Sequence, residues 1–156
     1  MEKNSIFTQR QIEALILKQV TDGLSVQFRK EEILDNLRVT IEKIAFENGK
    51  ILKDKNPKQL LTLAKHWKKL AEGGSLETNQ MECTDSQLTF RVTYCKYAEF
   101  YKEIGATELG MILSCCRDSP FLEGFSYNIK MKRSKTILEG NSSCDFIYEL
   151  KNSEDK

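Results

Sequence analysis

The sequence predicts an α+β fold in which N-terminal helices pack on an antiparallel sheet of about four strands, with two short helices between strands. Apolar residues recur at helical spacing over residues 5–73, and after Gly73-Gly74 they alternate with polar residues as in half-buried strands. The length of 156 residues suits one domain with its own core. We therefore predict a single domain over 1–156, with a helical part at 5–73, the sheet and a site at 74–150, and a disordered polar tail at 151–156.

Three amphipathic helices are predicted before Gly73. Their apolar positions are Ile12, Leu15, Ile16 and Val20 in the first helix, Ile33, Leu34, Leu37, Ile41, Ile44 and Ala45 in the second, and Leu60, Leu63, Ala64, Trp67, Leu70 and Ala71 in the third. Thr8 and Gln11 match the capping box that begins a helix. Asn56-Pro57 supplies an N-cap and a fixed φ for the third helix, which Gly73-Gly74 ends.

Alternating apolar residues predict the strands of the sheet. The clearest sets are Leu88, Phe90, Val92 and Tyr94, then Phe125, Tyr127, Ile129 and Met131, then Cys144, Phe146, Tyr148 and Leu150. Residues 76–83 form a weaker fourth strand. Helical spacing returns between the strands at Tyr97, Phe100, Tyr101 and Ile104, and again at Leu109, Ile112, Leu113 and Cys116, which predicts the two short helices.

The charge balance excludes several classes of partner. Lys and Arg number 24 against 23 Asp and Glu, a formal net charge of +1, so no overall field attracts a polyanion or an anionic membrane. No apolar run is long enough for a signal peptide or a membrane span. We expect a cytoplasmic protein that binds a small-molecule substrate, with no nucleic acid and no membrane as partner. Its oligomeric state stays open, a homo-oligomer included.

The five cysteines are expected to be reduced thiols, because their number is odd and no export signal accompanies them. Cys95, Cys115 and Cys144 recur through the C-terminal half with carboxylates nearby, a pattern that suggests a site. A free cysteine is also commonly a small buried apolar residue. We assign Cys83 and Cys116 to that structural class, because Cys116 continues the apolar face of its predicted helix.

Several short motifs follow one another in a fixed order over residues 92–148. They are Cys95 with Tyr97 and Phe100, Leu109-Gly110, Cys115 with Asp118, Glu123-Gly124-Phe125, Arg133 with Thr136, and Gly140 with Cys144-Asp145-Phe146. In their order and spacing they resemble the L-2-amino-thiazoline-4-carboxylic acid hydrolase family. The adjacent Cys115-Cys116 pair leaves the register of the family cysteine open by one residue, and we favour Cys115 because it keeps the three-residue step to Asp118.

The resemblance implies hydrolytic opening of a cyclic amidine, in which water adds at the ring carbon between nitrogen and sulfur and gives a carbamoyl-cysteine type of product. The catalytic residues that it implies are the thiols of Cys95, Cys115 and Cys144 and the carboxylates of Asp118 and Asp145. A thiolate of Cys144 or Cys95 would attack this carbon, while the carboxylates hold the amidine and move protons.

A substrate carboxylate calls for a guanidinium group, and Arg91, Arg117 and Arg133 are the candidates. Arg133 is favoured because it lies inside the matched pattern, and Tyr97 and Phe125 complete the expected substrate-binding set. The only histidine, His66, lies outside that pattern and is interpreted as a helix-surface or core-edge residue rather than a base.

Two other interpretations stay open. No cofactor is expected, but zinc bound by the cysteines is an alternative, although no Cys-x-x-Cys pair is present. The order of helices and antiparallel strands with a closing Cys-Asp-Phe strand also looks like the 4-vinyl reductase type of domain, which would make the protein a non-catalytic binding or sensing module. Loss of turnover on alkylation of a thiol would favour the enzyme.

Overall fold

A computed structural model of the protein describes residues 5–53 and 58–151. The helices are α1 (Ile6–Leu24), α2 (Lys30–Leu52), α3 (Gln59–Ala71), α4 (Lys96–Glu103), α5 (Thr107–Leu113) and α6 (Asp118–Phe125), with a 3-10 turn at Cys115–Arg117, and the strands are β1 (Leu76–Cys83), β2 (Gln87–Cys95), β3 (Ile129–Lys132) and β4 (Cys144–Leu150). The four strands form one antiparallel sheet in the order β1-β2-β4-β3. The predicted α+β class is therefore confirmed.

The inner face of the sheet is built from the alternating residues of β2 and β4. Phe90 lies opposite Phe146 and Val92 opposite Cys144 in the strand register, and all four side chains are buried. The ring of Trp67 on α3 packs 5.0 Å from that of Phe90 and 4.7 Å from that of Phe146. Helix α3 thus covers this face, and its apolar stripe is the one that the sequence predicts.

Two glycines allow α2 and α6 to pack with their backbones in contact. A Cβ atom on Gly124 would lie 2.0 Å from the carbonyl oxygen of Phe46, and one on Gly49 would lie 2.0 Å from that of Phe121. No real side chain fits at such distances, so these positions require glycine. This contact fixes α6, and therefore Asp118 at its first position, against the long second helix.

One predicted strand begins later than expected. Phe125, assigned from its alternation to the start of a strand, is the last residue of α6, and β3 begins only at Ile129. Phe125 and Leu122 are buried on one side of this helix, whereas Tyr127 is 69% exposed. Pro120 is compatible with the helix because it lies in the first turn, where its missing N–H group has no partner to lose. Three α-helices and a turn therefore separate β2 from β3, rather than two helices.

The helix ends also differ in part from the sequence interpretation. The capping box at Thr8 and Gln11 is wrong, because Ser5 is the N-cap of α1 and its side chain accepts the N–H of Thr8 at 3.1 Å. The Gly73-Gly74 pair follows α3 with φ values of +92° and +73°, as a helix end requires. Asn56 and Pro57 lie outside the described residues, as does the predicted tail from residue 152 onward.

The first helix buries a different face from the one predicted. Ile12, Leu15, Ile16 and Val20 are each 45–57% exposed, whereas Ala14 and Thr21 are buried against the other helices. Among the helices of the described ranges, none is long and apolar enough to cross a membrane.

Candidate functional site

A cavity of about 510 Å³ lies between the N-terminal helices, the inner face of the sheet and the start of α6. Six of the residues expected from the sequence line it, namely Cys95, Cys115, Cys144, Asp118, Arg133 and Tyr97. They come from five parts of the chain: β2, α4, the 3-10 turn with the start of α6, the segment after β3, and β4. Among the residues that the structure describes, Asp145 and Phe125 do not line it.

Asp118 and Arg133 form an ion pair in the cavity wall. Arg133 Nη1 donates to Asp118 Oδ2, Nη2 donates to the carbonyl oxygen of Cys115 at 3.0 Å, and the guanidinium carbon lies 5.4 Å from the centre of the Phe146 ring. The two side chains are only 22% and 15% exposed. These contacts hold the carboxylate of Asp118 in a fixed orientation, and each terminal nitrogen of Arg133 carries a second N–H group.

The carboxyl group of Asp118 is poised to exchange a proton near neutral pH. Burial raises its pKa to about 6, although the charges of Arg133 and Arg117 act in the opposite direction. Arg133 is the hydrogen-bond partner of this carboxyl group, through Oδ2. Asp118 therefore combines a place in the cavity wall with the pKa of a general acid or base.

The three cavity thiols are held in their neutral form. Burial raises the pKa of Cys95, Cys115 and Cys144 above the ordinary value of a thiol. The backbone N–H groups of Ala98 and Tyr97 oppose this effect at Cys95, which stands at the start of α4, but burial outweighs them. The thiolate that a cysteine nucleophile needs is therefore not favoured in this cavity.

Each thiol also has a distinct local setting. The sulfur of Cys144 accepts the backbone N–H of Ile137 at 3.2 Å. Cys116, one residue beyond Cys115, points elsewhere and accepts from Arg38 at 3.0 Å. Cys83 is exposed at the end of β1 and does not line the cavity, so it is not the small buried apolar residue that the sequence interpretation expects.

The structure gives Asp145 a different position from the one expected. It follows Cys144 on β4 and therefore points to the opposite face of the sheet. Its carboxylate accepts the backbone N–H of Ser134 at 3.2 Å, the hydroxyl of Ser134 at 2.6 Å and the N–H of Lys135 at 3.1 Å. Burial acts to raise the pKa of Asp145, but these hydrogen bonds hold it below its usual range. These hydrogen bonds hold the segment between β3 and β4 against β4. The expected place of Asp145 in the site is therefore wrong, because it does not line the cavity.

Phe125 is likewise corrected as a substrate-binding residue. Its side chain is 0% exposed at the end of α6, within the core cluster that joins α3, α6 and the sheet. It packs among these core residues and does not line the cavity. Tyr97, by contrast, lies at the start of α4 and faces the cavity.

Three residues of α3 and β4 line the cavity although the sequence did not mark them for the site. His66 stacks on Phe121 with ring centres 5.0 Å apart, and burial, followed by the charge of Lys69, lowers its pKa. Trp67 Nε1 donates to the hydroxyl oxygen of Tyr148 at 3.1 Å. Burial raises the pKa of Tyr148 well above its usual value, so this hydroxyl stays protonated and available as a donor.

Two further guanidinium groups reach the same cavity. Arg10 on α1 and Arg117 in the 3-10 turn both line it. Arg10 pairs with Glu13 of its own helix, whereas Arg117 forms no ion pair with a carboxylate of residues 5–53 and 58–151. Burial and the charge of Arg10 lower the pKa of Arg117. Metal ligation has no comparable geometry, because no three His, Cys, Asp or Glu residues in the described part of the chain are grouped to hold an ion.

The chain matches the model of a known protein family. The family model described as L-2-amino-thiazoline-4-carboxylic acid hydrolase matches residues 9–148. The match extends the resemblance seen at residues 92–148 to nearly the whole chain, including the helices that carry Arg10, His66 and Trp67. No curated protein matches the chain.

Proposed function

Since the chain belongs to the L-2-amino-thiazoline-4-carboxylic acid hydrolase family, we propose that it opens a cyclic amidine ring by adding water to the carbon between nitrogen and sulfur. The observation that carries this proposal is Asp118, a buried carboxyl group with a pKa of about 6 in the wall of an apolar cavity. Hydrolysis of an amidine needs one group that takes a proton from water and later returns it to the leaving nitrogen. Asp118 fits both steps.

In the first step the ionised Asp118 takes a proton from a water molecule through Oδ1, and the hydroxide bonds to the ring carbon. The electron pair of the C=N bond moves to the ring nitrogen, which neutralises a protonated amidine and leaves a tetrahedral carbon. Arg133 holds Oδ2 throughout and keeps the carboxylate oriented. The neutral hydroxyl of Tyr148, fixed by Trp67, is suited to donate a hydrogen bond to a heteroatom of the ring.

In the second step Asp118 returns its proton to the ring nitrogen, and the bond between this nitrogen and the former ring carbon breaks. The electron pair stays on the nitrogen, the hydroxyl on the carbon loses its proton as the C=O bond forms, and the amine takes up that proton from solvent. The sum is the addition of one water, and the product is an S-alkyl thiocarbamate, a carbamoyl group on sulfur, with a free ammonium group. The neutral thiols of Cys95, Cys115 and Cys144 favour this water route over attack by a thiolate.

The direct test is turnover by the purified protein. Incubation with 2-aminothiazoline-4-carboxylate is expected to give a ring-opened product heavier by one water, detected by mass spectrometry. Asp118→Asn should slow formation of the product by about 10²- to 10⁴-fold, and a metal chelator should leave the rate unchanged. Absence of product with the natural sequence, across a panel of cyclic amidines, would overturn the proposal.

The second candidate function is a non-catalytic module that binds or senses a small molecule. Two observations favour it: the thiols are neutral, and a cavity of about 510 Å³ has the size of sites that enclose a drug-sized ligand. Stoichiometric uptake of a ligand with no product over hours would identify this function. Trp67 is the only tryptophan of the chain and lines the cavity. Its fluorescence therefore reports binding of a ligand in the cavity for either function.

A further inference from the structure

The positive charge in the cavity exceeds what its carboxylates balance. Three guanidinium groups line it, those of Arg10, Arg117 and Arg133. The carboxylates bonded to them are Glu13, which pairs with Arg10, and Asp118, which pairs with Arg133. Two of the three guanidinium groups are therefore paired with a carboxylate. The third, Arg117, has no bonded carboxylate in the described ranges. A half-buried guanidinium in this state is a site for an anion.

Arg117 and Arg10 line the same cavity from different elements of the fold, the 3-10 turn and α1. Burial is the main cause that lowers the pKa of Arg117, and the charge of Arg10 acts in the same direction, whereas the charges of Glu13 and Asp118 oppose them. A carboxylate placed between the two side chains would satisfy both donors and relieve their mutual repulsion. Because Arg117 directly precedes Asp118, such a carboxylate would lie close to the proposed proton acceptor.

The rest of the cavity is apolar and larger than a single five-membered ring requires. Trp67 and Phe146 form one wall, and Leu63, Ile51 and Phe121 line other parts. These surfaces offer no charge to a ligand, and their burial by an apolar group is favourable. A ligand that fills about 510 Å³ therefore carries an apolar body in addition to the reacting ring and its carboxylate.

We infer that the substrate is a cyclic amidine carboxylate that bears an aryl or branched alkyl group, with its carboxylate held by Arg117 and Arg10 and its apolar group against Trp67 and Phe146. This inference rests on the proposed function for the reacting ring and adds the class of substrate. It also assigns binding of the substrate carboxylate to Arg117, whereas the sequence favours Arg133 for this role.

Binding can be measured without turnover through the fluorescence of Trp67. The probes are 3-phenylpropanoate, its uncharged amide and acetate, which separate the contributions of charge and apolar body. The natural protein is expected to bind 3-phenylpropanoate at least tenfold more tightly than either of the other two. Arg117→Gln should weaken binding of the carboxylate by about 10- to 100-fold and leave the amide unaffected, and Arg10→Gln should act in the same direction.

Arg91→Gln is the matched control, because Arg91 is exposed on β2 and does not line the cavity. Circular dichroism verifies that each variant is folded. Equal affinity for the acid and its amide, or equal effects of Arg117→Gln and Arg91→Gln, would overturn the inference. A different result would show that the proposed hydrolysis is wrong while the binding site is right. In that case 3-phenylpropanoate binds in a manner that depends on Arg117, but no substituted aminothiazoline carboxylate is hydrolysed.

Discussion

Asp118 owes its properties to its position in the fold. It begins α6, its Oδ2 atom is fixed by Arg133, and its surroundings raise its pKa to about 6. The sequence marks this residue only through the three-residue step from Cys115. It could not separate Asp118 from Asp145, because both follow a cysteine within three residues, and only the strand register sends Asp145 to the opposite face of the sheet.

The first prediction concerns the chemical role of Asp118. Asp118→Asn keeps the size of the side chain but removes the proton acceptor, so kcat for ring opening should fall by about 10²- to 10⁴-fold. Steady-state kinetics with 2-aminothiazoline-4-carboxylate measures this change, and Asp145→Asn is the control. Similar losses in both variants would contradict the role assigned to Asp118.

The second prediction is that ring opening does not depend on the cysteine thiols. Because burial keeps Cys95 and Cys144 neutral, Cys95→Ser and Cys144→Ser should each retain activity within about tenfold of the natural protein. Iodoacetamide should first alkylate the exposed Cys83, as followed by peptide mass spectrometry. A loss of several orders of magnitude in either serine variant would restore the thiol nucleophile.

At the scale of elements, the sequence predicted where helices and strands occur better than which faces they bury. The strand β1 has the bounds predicted for the weakest strand, 76–83, and β4 alternates as expected. Helix α1 buries Ala14 rather than the larger Ile16, and α6 was missed because the alternation at Phe125 imitates a strand. Periodicity measures spacing along one segment, whereas the buried face depends on contacts with distant segments.

The third prediction tests the contact between α2 and α6. Gly124→Ala would place a Cβ atom 2.0 Å from a backbone oxygen, so the free energy of unfolding should fall by about 3 kcal/mol. Urea unfolding measures this change. Gly23→Ala on α1 is the control, because nothing lies within 4 Å of its Cβ position, and it should raise stability by about 0.5 kcal/mol. Equal effects of the two substitutions would show that the helices do not pack this closely.

At the scale of the whole molecule, the cavity belongs to both halves of the chain. The sequence motifs marked only residues 92–148, which supply the thiols, Asp118 and Arg133. The N-terminal helices add Arg10, His66 and Trp67. In the sequence these residues cannot be distinguished from other positions of amphipathic helices. Their role could not be predicted from spacing, because it arises only when α1 and α3 lie opposite the sheet.

The fourth prediction links Asp118 to the stability of the whole fold. Its pKa is raised from 3.8 to about 6 on folding, so between these pH values the folded protein binds more protons than the unfolded chain. The free energy of unfolding should therefore decrease, through this group, as pH rises from about 4 through about 6, and should become constant about one pH unit above that. Urea unfolding of the natural protein relative to Asp118→Asn isolates the effect, and a difference independent of pH would contradict the raised pKa.

The pH dependence of kcat/KM is the measurement that tests the central claim most directly, since Asp118 must be ionised to accept a proton from water. Kinetics with 2-aminothiazoline-4-carboxylate should show a rate that rises with pH through about 6 and is constant above it. His66→Gln is the control, because His66 also titrates in this cavity, and it should leave the midpoint in place. A rate that is flat across this range, a midpoint that disappears in His66→Gln, or one near the pKa of a thiol would contradict Asp118 as the base.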